Sequence, residues 1–134
     1  MSRSVEERRR RLAELVAKLR ERSQSGVLIL VEGRKDAEAL ASIGILGKII
    51  CVKSSGRSLL DQLDELKTLK EAIILTDFDR RGAQLARLLS RSLTENRVKV
   101  DIAMWKEVRA LAKHEIKDVE GLPALLEHME VKLD

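Results

Sequence analysis

Acidic side chains follow two apolar runs that have the length of β-strands. Glu32 comes directly after the run at residues 27–31, and Asp77 and Asp79 come after the run at residues 72–76. Charged groups at the end of a buried strand must be solvated, paired or bound to metal. Magnesium prefers carboxylate oxygens, commonly one or two of them together with water and substrate phosphate. The spacing therefore predicts a Mg²⁺ site at which Mn²⁺ can substitute.

A glycine follows each acidic position and leads into a predicted helix. These residues are Gly33 and Gly82. A missing side chain lets the backbone turn tightly and lets a phosphate group approach a helix N-terminus. The alternative is that the acids only cap the two helices. Finding the same arrangement at two strand ends favours a functional site.

The elements that must position these acids alternate between strand and helix. This alternation predicts an α/β fold with a parallel sheet of about four strands and helices on both faces. In such folds the functional residues lie at the carboxyl ends of the strands. The predicted strands cover residues 27–31, 48–52, 72–76 and 98–103, and the predicted helices cover residues 34–43, 59–69, 80–94, a stretch up to about 114, and 123–129.

An additional helix is predicted at residues 4–22, where apolar residues recur at helical spacing. Ser4 and Glu7 match a capping box at its start. Residues 1–25 hold eight Lys or Arg and four Glu. We therefore divide the chain into a basic amphipathic helix at 1–25 and a domain at 26–134. The basic face could attract polyanions or could be an ordinary solvated surface.

Several classes of protein are disfavoured by composition. The single cysteine, Cys51, excludes an internal disulfide and a cysteine metal site, and its apolar neighbours predict a buried position. No segment approaches the roughly 20 apolar residues that span a bilayer, and the start of the chain lacks a signal-peptide pattern. We expect a cytoplasmic protein with no membrane association.

The two acidic motifs together resemble the Toprim domain. The resemblance rests on Val31-Glu32-Gly33, on Asp77-Phe78-Asp79 and on the following Gly82. Between them, residues 52–59 (Val-Lys-Ser-Ser-Gly-Arg-Ser-Leu) are similar to a small-residue loop of primases and ribosomal-RNA maturation ribonucleases. The resemblance covers about residues 26–103, and the chain looks most like the small stand-alone Toprim proteins.

The resemblance implies a Toprim-like (Rossmann-like) sheet and a role for each motif residue. Glu32 matches a general acid or base that also contacts metal in some members. Asp77 and Asp79 match the aspartates that coordinate magnesium. Gly33 and Gly82 match the turn glycines. A cation held by these carboxylates would neutralise and orient a phosphodiester and activate water.

Two functions remain open after the family's other activities are considered. The chain has no tyrosine and so cannot be a topoisomerase on its own, and one cysteine cannot make the zinc site of recombination mediators. The first remaining function is a metal-dependent nuclease in RNA processing or DNA repair. The second is a non-catalytic nucleic-acid-binding or scaffolding subunit, which would work with a protein partner. A nucleotide-binding regulator is disfavoured because no glycine-rich phosphate loop is present.

The predicted nucleic-acid contacts are phosphate contacts near the acids. The only aromatic residues are Phe78, predicted to pack under the site, and Trp105, predicted to be in the core, so a base-stacking platform is not expected. Lys117 and Asp118 could join the site if the tail folds back over the sheet edge. The predicted phosphate-binding residues are Gly33, Arg34, Lys35, Lys53, Ser54, Ser55, Gly56, Arg57, Arg80, Arg81 and Gly82.

Overall fold

A computed structural model describes residues 5–53, 61–62 and 69–133 of the chain. Within these residues four parallel strands form one sheet in the order β2-β1-β3-β4. The strands are β1 (Leu28–Val31), β2 (Ile49–Cys51), β3 (Glu71–Leu75) and β4 (Lys99–Asp101). The helices are α1 (Val5–Gln24), α2 (Arg34–Ser42), α3 (Arg80–Glu95), α4 (Ala103–Ala112) and α5 (Leu122–His128), with a 3₁₀ turn at Val119–Gly121 before α5.

The two central strands, β1 and β3, carry the core of the sheet. Every residue of β1 is at most 2% exposed, as expected for a continuous apolar run that is covered on both faces. In the register of the two strands, Val31 is paired with Leu75 at their carboxyl ends. The residues that leave these strands, Glu32 and Thr76, therefore start side by side.

Helices cover both faces of the sheet. The chain moves from β1 to β2 in one direction across the sheet and from β3 to β4 in the other. Because parallel crossovers are right-handed, α2 and α3 must lie on opposite faces. The predicted α/β fold with a parallel sheet, helices on both faces and an added N-terminal helix is confirmed.

The edge strands differ in detail from the sequence prediction. Cys51 is only partly buried because β2 is an edge strand with one neighbour. The fourth strand, predicted at 98–103, ends at Asp101, whose side chain accepts a hydrogen bond from the Met104 amide where α4 begins. The predicted helix at 59–69 and the predicted Ser4 cap fall largely or wholly outside the described residues.

Helix α1 is part of the core. Its apolar stripe is at most 2% exposed and consists of Leu12, Leu15, Val16 and Leu19. Several of its arginines pair with carboxylates elsewhere in the fold: Arg8 pairs with Glu115, and Arg11 pairs with Glu107. Arg22 contacts both Glu71 and Asp101. Much of the positive charge that could have formed a basic face is therefore used within the protein.

None of the helices in the described part of the chain combines the length and the apolar character that a membrane crossing requires.

We expect Leu15→Ala to lower the free energy of unfolding by about 2–5 kcal/mol, because it leaves a cavity in the core. Val5→Ala is the matched control on the same helix, since Val5 is 55% exposed, and it should change stability by less than about 0.5 kcal/mol. Chemical denaturation measures both. Equal effects of the two substitutions would contradict the packing of α1.

Candidate metal and nucleic-acid site

Glu32 links the carboxyl ends of the two central strands. The residue is 7% exposed, and its Oε2 accepts a hydrogen bond of 2.7 Å from the Asp77 amide. Its Oε1 lies 2.7 Å from the ammonium of Lys53, a residue that follows β2. A buried carboxylate is tolerated when it is hydrogen-bonded and paired, and Glu32 meets both conditions.

Asp77 lies next to Glu32 but has fewer hydrogen-bond partners. Its Oδ1 is buried and accepts no hydrogen bond within the described residues. Burial, and then the negative charge of Glu32, raise the pKa of Asp77 from 3.8 to about 7. The further contributors to this rise are Asp36, Asp118 and Asp79, in that order. The side chain is therefore short of positive charge and of hydrogen-bond donors.

Asp79 is exposed and caps α3. Its Oδ1 accepts a hydrogen bond of 2.8 Å from the Gly82 amide. The capping role considered from the sequence is thus present for this residue. An acid at the start of a helix also faces the positive end of the helix dipole.

Asp36 is a component that the sequence analysis did not select. It is 7% exposed and accepts hydrogen bonds from the amides of Gly33 (3.1 Å) and Glu120 (2.9 Å). Burial raises the pKa of Asp36, and the two amide bonds oppose that rise. Its position three residues after Gly33 is a capping signal that could have been read. Its contact with Glu120, 84 residues away, could not be predicted from the sequence.

The polar tail after α4 does return to the site. The Phe78 amide donates a hydrogen bond of 2.7 Å to the carbonyl oxygen of Lys117. The exposed side chain of Lys117 makes no ion pair within the described residues. Asp118 caps the 3₁₀ turn by accepting from the Gly121 amide at 3.0 Å, and its charge acts on Asp77 and Asp36.

The loop between β3 and α3 is fixed from below by aromatic and polar contacts. Trp105 Nε1 donates to the Thr76 carbonyl at 2.9 Å, and Arg109 Nε donates to the Phe78 carbonyl at 3.1 Å. Phe78 is 3% exposed, and its ring centre lies 6.3 Å from that of Trp105. Both aromatic residues therefore pack as predicted, under the site and in the core.

The predicted phosphate-binding cations fall into three groups. Arg34 and Lys35 are exposed in the first turn of α2, and Arg80 and Arg81 are exposed in the first turn of α3. Lys53 pairs with Glu32. The other predicted residues of the Lys53 loop, Ser54, Ser55, Gly56 and Arg57, lie outside the described residues.

The described side chains offer one unpartnered carboxylate oxygen to a cation, but they do not form a complete set of metal ligands. In residues 5–53, 61–62 and 69–133, no three His, Cys, Asp or Glu side chains are placed to hold a metal ion together. Both oxygens of Glu32 already have partners. The unpartnered oxygen of Asp77, surrounded by four other carboxylates, nevertheless fits a hard divalent cation, which needs few protein ligands when water and phosphate supply the rest.

Comparison with known proteins agrees with this geometry. Residues 27–105 match the Toprim domain. The chain belongs to the Toprim family. The resemblance carried by the Glu32 and Asp77-Phe78-Asp79 motifs is thereby confirmed, and membership supports a metal-binding function related to nucleic acids.

Relatives extend the similarity beyond the motifs. The UPF0292 protein of Thermococcus kodakarensis is 41% identical over 87% of this chain and 84% of its own length. That of Methanosarcina barkeri is 34% identical over 91% of this chain and 85% of its own length. A solved protein structure from Aquifex aeolicus is 27% identical with a TM-score of 0.67, covering 81% of this chain and 95% of that one.

The two site glycines differ in whether a larger residue could replace them. A Cβ atom on Gly82 would overlap the carbonyl oxygen of Asp77, whereas one on Gly33 would have Asp36 Oδ2 as its nearest neighbour at 3.8 Å. Gly33 also has extended backbone, with φ of −137°, that any residue can adopt. The tight turn predicted from the sequence therefore needs a glycine only at Gly82.

We expect Gly82→Ala to destabilise the Toprim fold by about 1–3 kcal/mol or more, because the turn after Asp77 must move. Gly33→Ala is the matched control and should cost less than about 1 kcal/mol. Thermal unfolding monitored by circular dichroism compares the two. If Gly33→Ala were the more damaging change, this account of the turns would be wrong.

We expect the free energy of unfolding of the metal-free protein to fall as the pH rises from about 4 to about 7. Because the pKa of Asp77 is higher in the folded than in the unfolded chain, the folded state binds more protons across this interval. Asp77→Asn should reduce that fall and make the metal-free protein more stable at pH 8. Millimolar Mg²⁺ should stabilise the wild type and not the variant.

The measurement is thermal unfolding in chelator and in Mg²⁺ at pH 5 and pH 8. Glu127→Gln, which neutralises an exposed acid on α5, is the control and should behave like the wild type. A wild type that responds to neither pH nor Mg²⁺ would remove the basis for the Asp77 site.

Proposed function

We propose that this protein is a magnesium-dependent Toprim nuclease that hydrolyses nucleic-acid phosphodiesters, in RNA processing or DNA repair in the cytoplasm. The observation that carries the proposal is Asp77, whose buried oxygen has no hydrogen-bond donor among the described residues and whose neighbours are acids. Its place at the carboxyl end of a central parallel strand is where such folds act. A structural role alone would not require this concentration of negative charge.

The side chains divide the work of hydrolysis as follows. Asp77, with Asp79 beside it, would hold Mg²⁺ or Mn²⁺, which when bound supplies charge neutralisation and a polarised water. A water oxygen bonds to phosphorus while the bond from phosphorus to one ester oxygen breaks. The water gives up a proton and the departing oxygen gains one. Glu32 would exchange one of these protons.

Glu32 can exchange a proton only if one of its oxygens loses its present partner. The Lys53 ammonium pairs with Oε1, and the Asp77 amide donates a hydrogen bond to Oε2. A phosphate that enters the site would compete for Lys53, which is 46% exposed at its side chain and can follow the new partner. Release of Lys53 would leave Oε1 available for proton transfer and would pair the ammonium with substrate.

A second function is favoured by one observation about the same residues. Both oxygens of Glu32 have partners and Asp79 caps a helix, so these two carboxylates have stable roles without metal. A non-catalytic nucleic-acid-binding or scaffolding subunit would need no more than this, together with exposed cations and a protein partner. The nuclease is preferred because Asp77 is left without a comparable role.

The deciding experiment incubates the protein with labelled structured RNA, single-stranded DNA and duplex DNA in Mn²⁺ or Mg²⁺. We expect cleavage that falls at least about a hundredfold in Glu32→Gln, a size typical of a lost proton-transfer group. Glu38→Gln, an exposed change on α2, is the control and should cleave like the wild type. Salt-sensitive binding of these nucleic acids without any cleavage would replace the nuclease with the binding subunit.

A further inference from the structure

The arginines of α3 differ from those of α1 in their partners. Helix α1 directs arginines to carboxylates elsewhere in the fold. Helix α3 carries four arginines and a single acid, Glu95, which lies at its last position. None of these four arginines makes an ion pair within the part of the chain that the structure describes, and all four are exposed: Arg80, Arg81, Arg87 and Arg91. Helix α3 thus carries four positive charges that no carboxylate of the described residues pairs with.

Three of these arginines share one face of the helix. Arg80, Arg87 and Arg91 are spaced at i, i+7 and i+11, which places them within about 40° around the axis of a helix with 3.6 residues per turn. The row is about 16 Å long. It starts directly after Asp79, so its first member lies at the proposed catalytic site.

A groove runs beside this row, between α3 and α4. Its volume is about 440 Å³. Ala83 and Ala86 contribute small side chains and the buried Trp105 contributes apolar surface, while Arg87, Arg91 and Lys106 supply the charge. Among the described residues, no acidic side chain lines it. A cationic rim over an apolar floor suits a chain of phosphates joined by less polar groups.

We propose that the groove between α3 and α4 binds the sugar-phosphate backbone of one nucleic-acid strand and leads it to the carboxylate site. The proposal rests on the proposed function and adds the path of the substrate. Arg87, Arg91 and Lys106 contact successive phosphates, and Arg80 guides the strand to Asp77 and Asp79. At about 3.4 Å per nucleotide, the row of arginines spans about five nucleotides of a B-form strand.

The test measures binding of fluorescein-labelled single-stranded RNA, single-stranded DNA and duplex DNA by anisotropy in EDTA, which prevents cleavage and metal-bridged contacts. The variant is Arg87→Gln/Arg91→Gln. The control is Arg10→Gln/Lys18→Gln, which removes the same charge from exposed positions on α1. Because all four positions are exposed, both proteins should keep the wild-type melting temperature.

We expect the α3 variant to bind about tenfold more weakly than the wild type at 0.1 M salt. The slope of log affinity against log salt should fall by about 1.4 for single strands, as for two lost phosphate contacts. The control should bind like the wild type. Wild-type affinity in the α3 variant, or an equal loss in both variants, would overturn the groove proposal while leaving the proposed function intact.

Two other outcomes are distinguishable. A wild type that binds no nucleic acid in EDTA or in Mg²⁺ would overturn the proposed function together with the groove. If the α3 variant instead changes only the molar mass of the protein in light scattering, the groove is a contact between copies of the chain and the strand proposal is wrong.

Discussion

The hydrogen bond from the Asp77 amide to Glu32 joins the ends of β1 and β3, and the rest of the site depends on it. It brings together residues 45 positions apart in sequence. It also commits one oxygen of Glu32, so that Lys53 is drawn from the end of β2 to pair with the other. Three strand ends are thereby connected through one buried carboxylate. The Asp77 side chain, whose own backbone provides the donor, is left beside a negative charge with no donor of its own among the described residues.

Backbone amides offset part of the electrostatic repulsion between the acids that surround Asp77. Asp36, Asp79 and Asp118 each accept from an amide at the start of a helix or 3₁₀ turn. Such bonds stabilise the ionised form of a carboxylate and orient it. Asp77 receives no such bond in the described structure to oppose its burial and the charge of Glu32, which together raise its pKa to about 7. The acids around it are held in place, so the repulsion they exert on Asp77 cannot be relieved by their moving apart.

The parts of this structure that could be predicted are those set by local pattern. The apolar runs of β1 and β3 indicated buried parallel strands, and the acids that follow them had to meet at one edge because parallel strands share a direction. The capping position of Asp36 could be read from the sequence, but its burial could not, because it depends on the turn at Glu120, which packs over α2 from far along the chain. The use of Gly82 but not Gly33 as an obligatory glycine was equally hidden, since it depends on how closely the Asp77 carbonyl approaches.

Charge counting along the sequence marked residues 1–25 as the basic segment, but it could not tell which arginines are paired. A net charge assigns every arginine the same weight, yet an arginine that is paired with a carboxylate attracts a polyanion far less than one that is not. Arg22, which contacts Glu71 and Asp101, contributes to docking α1 on the sheet. Arg87 and Arg91 have no such partner in the described structure and border a groove without acids. Under the groove proposal the attraction for phosphate lies along α3. Because that helix begins at the residue after Asp79, the strand-binding arginines and the proposed metal-binding acid would follow one another on a single element.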